Sequence, residues 1–336
     1  MPLPRIALTM GDPAGIAPEI ILRALSDPCL RGRCQPLILG DPAVMARAAA
    51  LVPGAPVLRT VAQVDEPLAG GEIGVLPTCP AAPEEIPSAA INIDTARAML
   101  APLERACDLI EHGSIEGLVS GPLNKEAFSL CGLACSDELE FMAERLGCQG
   151  AYILGLMRGV WVASIAEHVR FRAIADLVTK ENILRAISSL ESLMRRAGVQ
   201  DPKGDRPRIA VSALNPHAGE GGTLGTEEVT EIRPAVLEAQ ARGLAASGPY
   251  PADTVFARAL EGQFEGVIAM FHDQANIARK LQPMSERVTL FEGLPVPVGT
   301  TAHGVAYDIA GRGIADPGSL TLALDWVIRL AAGTTR

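Results

Sequence analysis

Short β-type runs alternate with amphipathic helical runs along most of the chain, and this alternation restricts the fold more than any other feature. Strands are predicted at residues 5–10, 36–40 and 117–120, and helices at residues 95–112 and 181–197. Strands that alternate with helices form α/β layers around largely parallel sheets. At roughly 150 residues per domain, a chain of 336 residues suggests two domains. We therefore predict a two-domain α/β fold.

The composition excludes several classes of protein. The net charge is −10 and only 4% of the residues are aromatic, so the chain lacks the basic surface that neutralises nucleic-acid phosphates. Its apolar stretches are much shorter than the roughly 20 residues that span a bilayer. The N-terminus has no signal-peptide layout, and the seven cysteines form no CxxC pair. We expect a cytoplasmic protein with reduced thiols and neither a nucleic-acid nor a membrane partner.

Polar turns rich in glycine and proline follow most of the predicted strands. Ligands of open α/β sheets bind beyond the carboxyl ends of the strands, where such turns lie. Asp12 follows the first strand, and Asn124 follows the strand at residues 117–120. Both residues are candidates for a pocket, although turn or helix-capping chemistry explains them equally well.

Three of the five histidines, His168, His217 and His272, follow apolar strands. A single histidine at such a position is more often structural, but three at equivalent strand ends favour a shared site. Neutral imidazoles suit Zn²⁺ and related divalent ions, and a three-histidine site leaves a coordination position open for a substrate oxygen. The spacing is too wide for a zinc finger, so the fold must assemble the site.

Closely spaced glycines, a histidine and an aspartate occur together in the loop at residues 302–313. The simplest explanation is a connector before the last helix. The functional alternative is that the small residues let the backbone approach an adenosine, while Asp308 accepts hydrogen bonds from the two ribose hydroxyls. A carboxylate there would repel a 2′-phosphate and favour NAD over NADP. No GxGxxG follows a strand, which disfavours an ordinary Rossmann site.

The segments TMGDPAGIAPEI, SGPLNKEA, ALNPHAGEGGTLGTEE, AMFHDQ and AHGVAYDIAGRGIADPG together resemble the 4-hydroxythreonine-4-phosphate dehydrogenase family of pyridoxal-phosphate biosynthesis. The last loop is also similar to that of isocitrate and isopropylmalate dehydrogenases. The resemblance implies two α/β/α domains with an interdomain cleft. Residues 1–125 plus 293–336 would form the cofactor-side domain, and residues 126–292 the domain for metal, substrate and dimerisation.

The resemblance also implies cofactors and partners. It predicts NAD as the oxidant, a divalent metal ion (Zn, Mg, Co or Mn), a small-molecule substrate and a homodimer with a shared active site. The metal would be held by His168 and His217 of one subunit and His272 of the other. Lys280 would contact the substrate. The cofactor would lie against four residues of the C-terminal loop: His303, Gly304, Asp308 and Gly311.

Three positions depart from the family pattern. The family's Gly-His-Thr, which contacts substrate, corresponds to Asp137-Glu138-Leu139 here, and a family Asn corresponds to Thr289. A family Arg that helps to hold the substrate corresponds to Val298. Phosphate recognition favours Arg and Lys donors, so the loss of Arg and the gain of two carboxylates indicate a paralogous branch with a different substrate.

The predicted reaction is oxidation of a secondary hydroxyl group of a small hydroxy acid, with or without decarboxylation. The substrate would be 4-hydroxythreonine-4-phosphate-like or a phosphorylated tetronate. Two alternatives are a cis-dihydrodiol dehydrogenase that acts on a carboxylated aromatic dihydrodiol, and a binding protein that has lost catalysis. Asp253, Asp273 and Lys280 are candidates for the proton acceptor, and the sequence does not choose among them.

Overall fold

The computed structural model describes residues 3–78 and 91–334. The chain divides into two compact units, of which unit 1 comprises Met1–Ile153 and Val288–Arg336, and unit 2 comprises Leu154–Arg287. Cys79 lies outside the described residues, and the other six cysteines are free thiols. Within the described part of the chain, no helix is both long enough and apolar enough to cross a bilayer.

The fold is mixed α/β. The strands in chain order are β1 (Arg5–Thr9), β2 (Gln35–Gly40), β3 (Val57–Thr60), β4 (Glu72–Pro77), β5 (Gly117–Ser120), β6 (Tyr152–Met157), β7 (Val160–Ala166), β8 (Ile209–Ser212), β9 (Ala246–Tyr250), β10 (Gly266–Phe271), β11 (Arg287–Glu292) and β12 (Val298–Thr301). The helices are α1 (Ala17–Leu25), α2 (Pro28–Arg31), α3 (Pro42–Ala49), α4 (Ile93–Glu111), α5 (Glu126–Leu130), α6 (Glu138–Arg145), α7 (Ile174–Leu177), α8 (Lys180–Arg196), α9 (Arg233–Ala241), α10 (Ala252–Leu260), α11 (His272–Lys280) and α12 (Gly318–Thr334).

Unit 1 is built on a largely parallel set of strands in the order β3-β4-β2-β1-β5-β12-β11. Only the β11–β12 pairing within this set is antiparallel. Thr9 is in register with Ser120, and Ser120 is in register with Thr300. The carboxyl ends of three parallel strands therefore lie side by side.

The core of unit 1 extends further along the chain than the predicted domain boundary at residues 125 and 126. Phe128 of α5 and Phe141 of α6 pack in the same buried cluster as Leu37 and Leu118 of the sheet. Phe291 of β11 belongs to this cluster too. Residues 126–153 and 288–292 therefore group with unit 1, because their large apolar side chains complete its core.

Unit 2 contains strands in the order β6-β7-β10-β8-β9. The β6–β7 pair is antiparallel, whereas β7, β10, β8 and β9 run parallel. Val162, Ala210 and Val267 of this sheet pack against Val255 and Phe256 of α10 in one buried cluster. Because β7, β10 and β8 are parallel neighbours, the residues that follow them lie at one edge of the sheet.

Candidate active site

Two of the three predicted metal-binding histidines meet at the carboxyl edge of unit 2. His168 follows β7, and His272 is the first residue of α11, directly after β10. The two imidazole ring centroids are 5.6 Å apart. Glu167 joins them, so that one possible ligand atom from each of the three side chains lies within 4.8 Å of the other two. We call Glu167, His168 and His272 the His–Glu cluster.

The donor atoms of the His–Glu cluster suit a divalent cation. Two imidazole nitrogens and one carboxylate oxygen form a set that binds zinc and other divalent metals. Ligand atoms around zinc lie about 2.1 Å from the ion and so at most about 4.2 Å from one another. Three ligand atoms arranged tetrahedrally around such an ion are about 3.4 Å from one another, so the three side chains would have to approach by about an ångström to hold one ion. All three belong to the same chain, whereas the resemblance assigned His272 to the partner subunit.

His272 is oriented by its neighbour Asp273. The Nδ1 atom of His272 lies 2.7 Å from a carboxylate oxygen of Asp273. A proton on Nδ1 that is donated to this carboxylate leaves Nε2 free as a metal ligand. The sequence makes Asp273 a candidate proton acceptor. In the structure, its carboxylate instead contacts and orients a proposed metal ligand.

Glu167 also faces a buried arginine. Burial lowers the pKa of Arg279 to about 10, while the Glu167 carboxylate acts to raise it and Arg287 to lower it. A Cβ atom at Gly155 would collide with the Arg279 guanidinium, so a larger residue at this position of β6 would displace that side chain. The guanidinium in turn places a positive charge near the Glu167 carboxylate.

The other predicted residues of unit 2 lie outside the His–Glu cluster. His217 follows β8 at the same sheet edge, but it is exposed and lies in a left-handed segment. Asp253 is exposed in the first turn of α10. Lys280 is exposed at the end of α11, eight residues after His272 and therefore about 12 Å further along the helix.

In unit 1, the predicted pocket residues Asp12 and Asn124 converge on Tyr307. The Tyr307 hydroxyl donates to the Asp12 carboxylate at 2.5 Å, and the Asn124 amide donates to the Tyr307 oxygen at 3.3 Å. Burial raises the pKa of Asp12 and raises that of Tyr307 to about 12. The three side chains form a polar group beyond β1 and β5, where a sheet of this kind binds ligands.

The C-terminal loop at residues 302–313 packs closely on the turn after β1. The N–H of Ile16 donates to the carbonyl of Val305 at 3.0 Å, and a Cβ atom at Gly15 would lie 2.8 Å from that oxygen. Among the described residues, no atom lies within 4 Å of a Cβ placed at Gly304 or Gly311. The backbone at these two glycines is therefore open to a bound molecule.

This loop also borders a cavity. A space of about 250 Å³ is lined by the turn after β1, by α3 with Arg47, and by Ala310 and Gly311. Asp308 is exposed, and His303 is partly buried with Nδ1 3.0 Å from the carbonyl of Gly304. The loop thus combines an exposed carboxylate with open backbone beside a small cavity, which is an arrangement that fits a nucleoside.

The two carboxylates that depart from the family pattern have internal partners. Asp137 caps α6 by accepting from the N–H of Glu140 at 3.0 Å, and it pairs with Lys125 at 3.4 Å. Glu138 is buried and accepts from the Ser120 hydroxyl at 3.1 Å. Burial raises the pKa of Glu138 to about 7, against hydrogen bonds from Thr300 and Ser120 that lower it. Thr289 lies in β11, in register with Thr300.

Sequence reasoning gave no role to Glu167 or Tyr307. Glu167 precedes a predicted ligand at a strand end, and that position was a usable signal for a metal-binding carboxylate. Tyr307 lies in the glycine-rich loop, but its contact with Asp12 joins residues 295 positions apart. No local pattern in the sequence indicates such a contact.

Comparisons with known proteins agree over nearly the whole chain. Residues 32–327 match the family described as pyridoxal phosphate biosynthetic protein PdxA. The chain is 39% identical to a 4-hydroxythreonine-4-phosphate dehydrogenase of Desulfosudis oleivorans, with 98% of this chain and 97% of that protein covered. It is 34% identical to a D-threonate 4-phosphate dehydrogenase of Bordetella bronchiseptica, with 98% and 93% covered. A solved structure of 4-hydroxythreonine-4-phosphate dehydrogenase from Klebsiella pneumoniae has a TM-score of 0.80 at 31% identity, with 98% of this chain and 99% of that one covered.

Proposed function

This chain belongs to the PdxA family of pyridoxal phosphate biosynthetic proteins, and from that premise we propose that it is a dehydrogenase of a small phosphorylated hydroxy acid. The substrate class is supported by relatives named for 4-hydroxythreonine-4-phosphate and D-threonate 4-phosphate. The reaction oxidises a secondary hydroxyl group with NAD and requires a divalent metal ion. The observation that carries the proposal is the His–Glu cluster at the carboxyl edge of unit 2.

His168 and His272 would hold the metal ion together with Glu167, and His217 from the same sheet edge would add a further ligand. A divalent ion bound there would polarise the substrate hydroxyl and lower its pKa. Asp273 keeps the Nε2 atom of His272 available by accepting from Nδ1. Because Asp273 is engaged in this way, Asp253 and Lys280 are the exposed candidates for the proton acceptor.

NAD would bind to unit 1 at the C-terminal loop. The exposed carboxylate of Asp308 would accept hydrogen bonds from the ribose hydroxyls, and the open backbone at Gly304 and Gly311 would allow close approach. We assign the cofactor to unit 1 and the metal to unit 2, in the two-domain layout that the family resemblance implies. The free cysteines are consistent with a cytoplasmic enzyme.

We further propose a homodimer with a shared active site. Large apolar side chains are exposed on unit 2, including Ile277 (62%) on α11, Leu281 (79%) directly after its last residue, and Met284 (52%) just beyond. Apolar surface of this kind marks a protein interface, and we assign a second copy of this chain to it. Lys280 lies on the same helix but about 12 Å from His272, so we propose that it acts on the partner's metal site.

The test is a substrate panel that contains phosphorylated hydroxythreonine, phosphorylated tetronates and carboxylated dihydrodiols, with NAD or NADP and with Zn²⁺, Mg²⁺, Co²⁺ or Mn²⁺. We expect NADH formation with a phosphorylated hydroxy acid and its loss after metal removal. Activity only with the dihydrodiols would mean that the substrate is a carboxylated dihydrodiol and not a phosphorylated hydroxy acid. Full activity of the metal-depleted enzyme would refute the role of the His–Glu cluster.

A further inference from the structure

The segment that joins β8 to α9 has an uncommon backbone conformation. Residues 217–221 all have left-handed φ values, between +44° and +75°. Three of them, His217, Ala218 and Glu220, carry a Cβ atom, and such residues rarely adopt this conformation. Consecutive residues of this kind persist only where the surrounding structure holds them in place.

A buried carboxylate holds this segment. Glu228 is fully buried. Its Oε1 atom accepts from the backbone N–H groups of Leu214 at 2.9 Å and Asn215 at 2.7 Å. Its Oε2 atom accepts from the side-chain amide of Asn215 at 2.9 Å, and the same amide donates to Glu227 at 2.7 Å. Glu228 thus ties the residues just before His217 to the π-helical turn Glu228–Ile232.

Two glycines leave room for these hydrogen bonds. A Cβ atom at Gly219 would lie 2.6 Å from the Oε2 atom of Glu228, and one at Gly225 would collide with the side-chain amide of Asn215. Both glycines also have positive φ values, so larger residues would be strained there. The segment is therefore built around the Glu228 carboxylate, although that carboxylate is not among the predicted ligands.

We propose that Glu228 is a positioning residue for the metal site. Its hydrogen bonds fix the left-handed segment that carries His217 at the sheet edge where His168 and His272 meet. Loss of the carboxylate would free the strained backbone, and His217 would lose its fixed place. This inference rests on the proposed function, in which His217 is a metal ligand. Contacts that orient a ligand in this way change metal affinity by about 10- to 100-fold.

The test is titration of the full-length protein with Co²⁺, followed by the visible absorption of the bound ion, which reports the ligand set. Glu228→Gln keeps the side-chain shape but places an amide N–H against the Asn215 amide. We expect Co²⁺ binding to weaken about 10- to 100-fold and the spectrum to change. In a His217→Ala background the same substitution should cause no further loss, because Glu228 acts through His217.

Glu191→Gln is the matched control. Glu191 is another buried carboxylate of unit 2, and it pairs with Arg206 at 3.0 Å. We expect this variant to unfold at a lower urea concentration than the wild type but to bind Co²⁺ with unchanged affinity. A similar loss of Co²⁺ affinity in Glu191→Gln and Glu228→Gln would mean that general destabilisation is the cause, and would overturn the positioning role.

The outcomes separate this inference from the proposed function. If His217→Ala weakens Co²⁺ binding and Glu228→Gln does not, the positioning role alone is wrong. If His217→Ala leaves the affinity unchanged, the ligand assignment fails and the positioning role fails with it. An equal loss with Glu228→Gln in both backgrounds would also overturn the inference. Should Glu228→Gln not fold, Asn215→Ala removes the side-chain amide that donates to Glu228 and Glu227 but keeps the backbone hydrogen bonds to Glu228. Weaker Co²⁺ binding then supports the inference, and unchanged binding contradicts it.

Discussion

At the scale of single residues, the His–Glu cluster depends on how its ligands are oriented. The hydrogen bond between His272 and Asp273 fixes one imidazole tautomer. We predict that Asp273→Asn lowers Co²⁺ affinity about tenfold, because the neutral amide orients the imidazole ring less firmly than the carboxylate does. Equilibrium titration of the purified variant measures this loss. Asp176→Asn, which removes an exposed carboxylate from α7, is the control and should bind as the wild type does.

Glu138 should give the fold a pH dependence of known sign. Its pKa is about 7 in the folded chain against an ordinary value of 4.5. Between these two pH values the folded state binds more protons than the unfolded state, so the unfolding free energy falls as the pH rises. The Glu138→Gln variant has no titratable group at this position, so it lacks this pH dependence. We predict that its stability relative to the wild type increases by ~3 kcal/mol between pH 4.5 and pH 8.

Urea denaturation of both proteins at several pH values measures this difference. Glu140→Gln is a control of opposite sign, because hydrogen bonds from Ser136 lower the pKa of Glu140. The relative stability of that variant should fall as the pH rises. A pH-independent difference between Glu138→Gln and the wild type would show that the pKa of Glu138 is the same in the folded and unfolded chains, and the raised pKa would be wrong.

At the scale of elements, strands were predictable where burial is complete. The strand at residues 117–120 is predicted with its observed bounds, because it is an apolar run bounded by glycine and polar residues, and all four of its residues are buried. β3 was missed because most of its residues are exposed and carry no apolar pattern. α11 was missed because Ile277, one of its few apolar residues, faces solvent rather than the core.

The candidate site was predictable only in part, for a related reason. The sequence shows where strands end, so it identified His168 and His272. It does not show which strands are neighbours, and the contact of Glu167 with His272 depends on the pairing of β7 with β10. The left-handed conformation at His217 was equally invisible, because the residues that impose it act through Glu228.

The packing of the C-terminal loop on the turn after β1 can be tested at one glycine. We predict that Gly15→Ala weakens NADH binding at least several-fold, because its Cβ atom would lie 2.8 Å from the Val305 carbonyl and displace the loop. Overpacking of this kind destabilises by about 1–3 kcal/mol. NADH fluorescence and urea denaturation measure the two effects. Gly70→Ala, which meets no described atom within 4 Å, is the control. If Gly15→Ala binds NADH as the wild type does, the C-terminal loop is not part of the cofactor site.

At the scale of the whole molecule, the exposed apolar side chains at the end of α11 and directly after it should control assembly. We predict that Leu281→Glu, at a position 79% exposed, leaves the fold intact but converts the dimer to a monomer. A charge buried at an interface without a partner is costly, whereas the same charge on a free surface is not. Sedimentation velocity distinguishes the two states. Val57→Glu, at an exposed position of unit 1, is the control, and an equal effect of both variants would place the interface elsewhere.

The sharing of the active site can be tested by mixing inactive variants. If Lys280 acts on the partner's metal site, a heterodimer of His168→Ala and Lys280→Ala chains contains one site with both changes and one intact site. Random exchange makes half of the dimers heterodimers, so about a quarter of wild-type activity should return. The mixture of His168→Ala and His272→Ala should remain inactive, because the His–Glu cluster belongs to one chain and every site then lacks one ligand.

These two mixtures distinguish three arrangements. Recovery in the first mixture alone fits a metal site within one chain that is completed by Lys280 of the partner. Recovery in both would mean that His272 also comes from the partner, as the family resemblance first implied, and that the ligands of one chain do not act together. No recovery in either, after subunit exchange has been verified with differently tagged chains, would show that each chain contains a complete active site. Lys280 would then act on a substrate bound about 12 Å from His272 of its own chain, which would require a substrate long enough to span that distance.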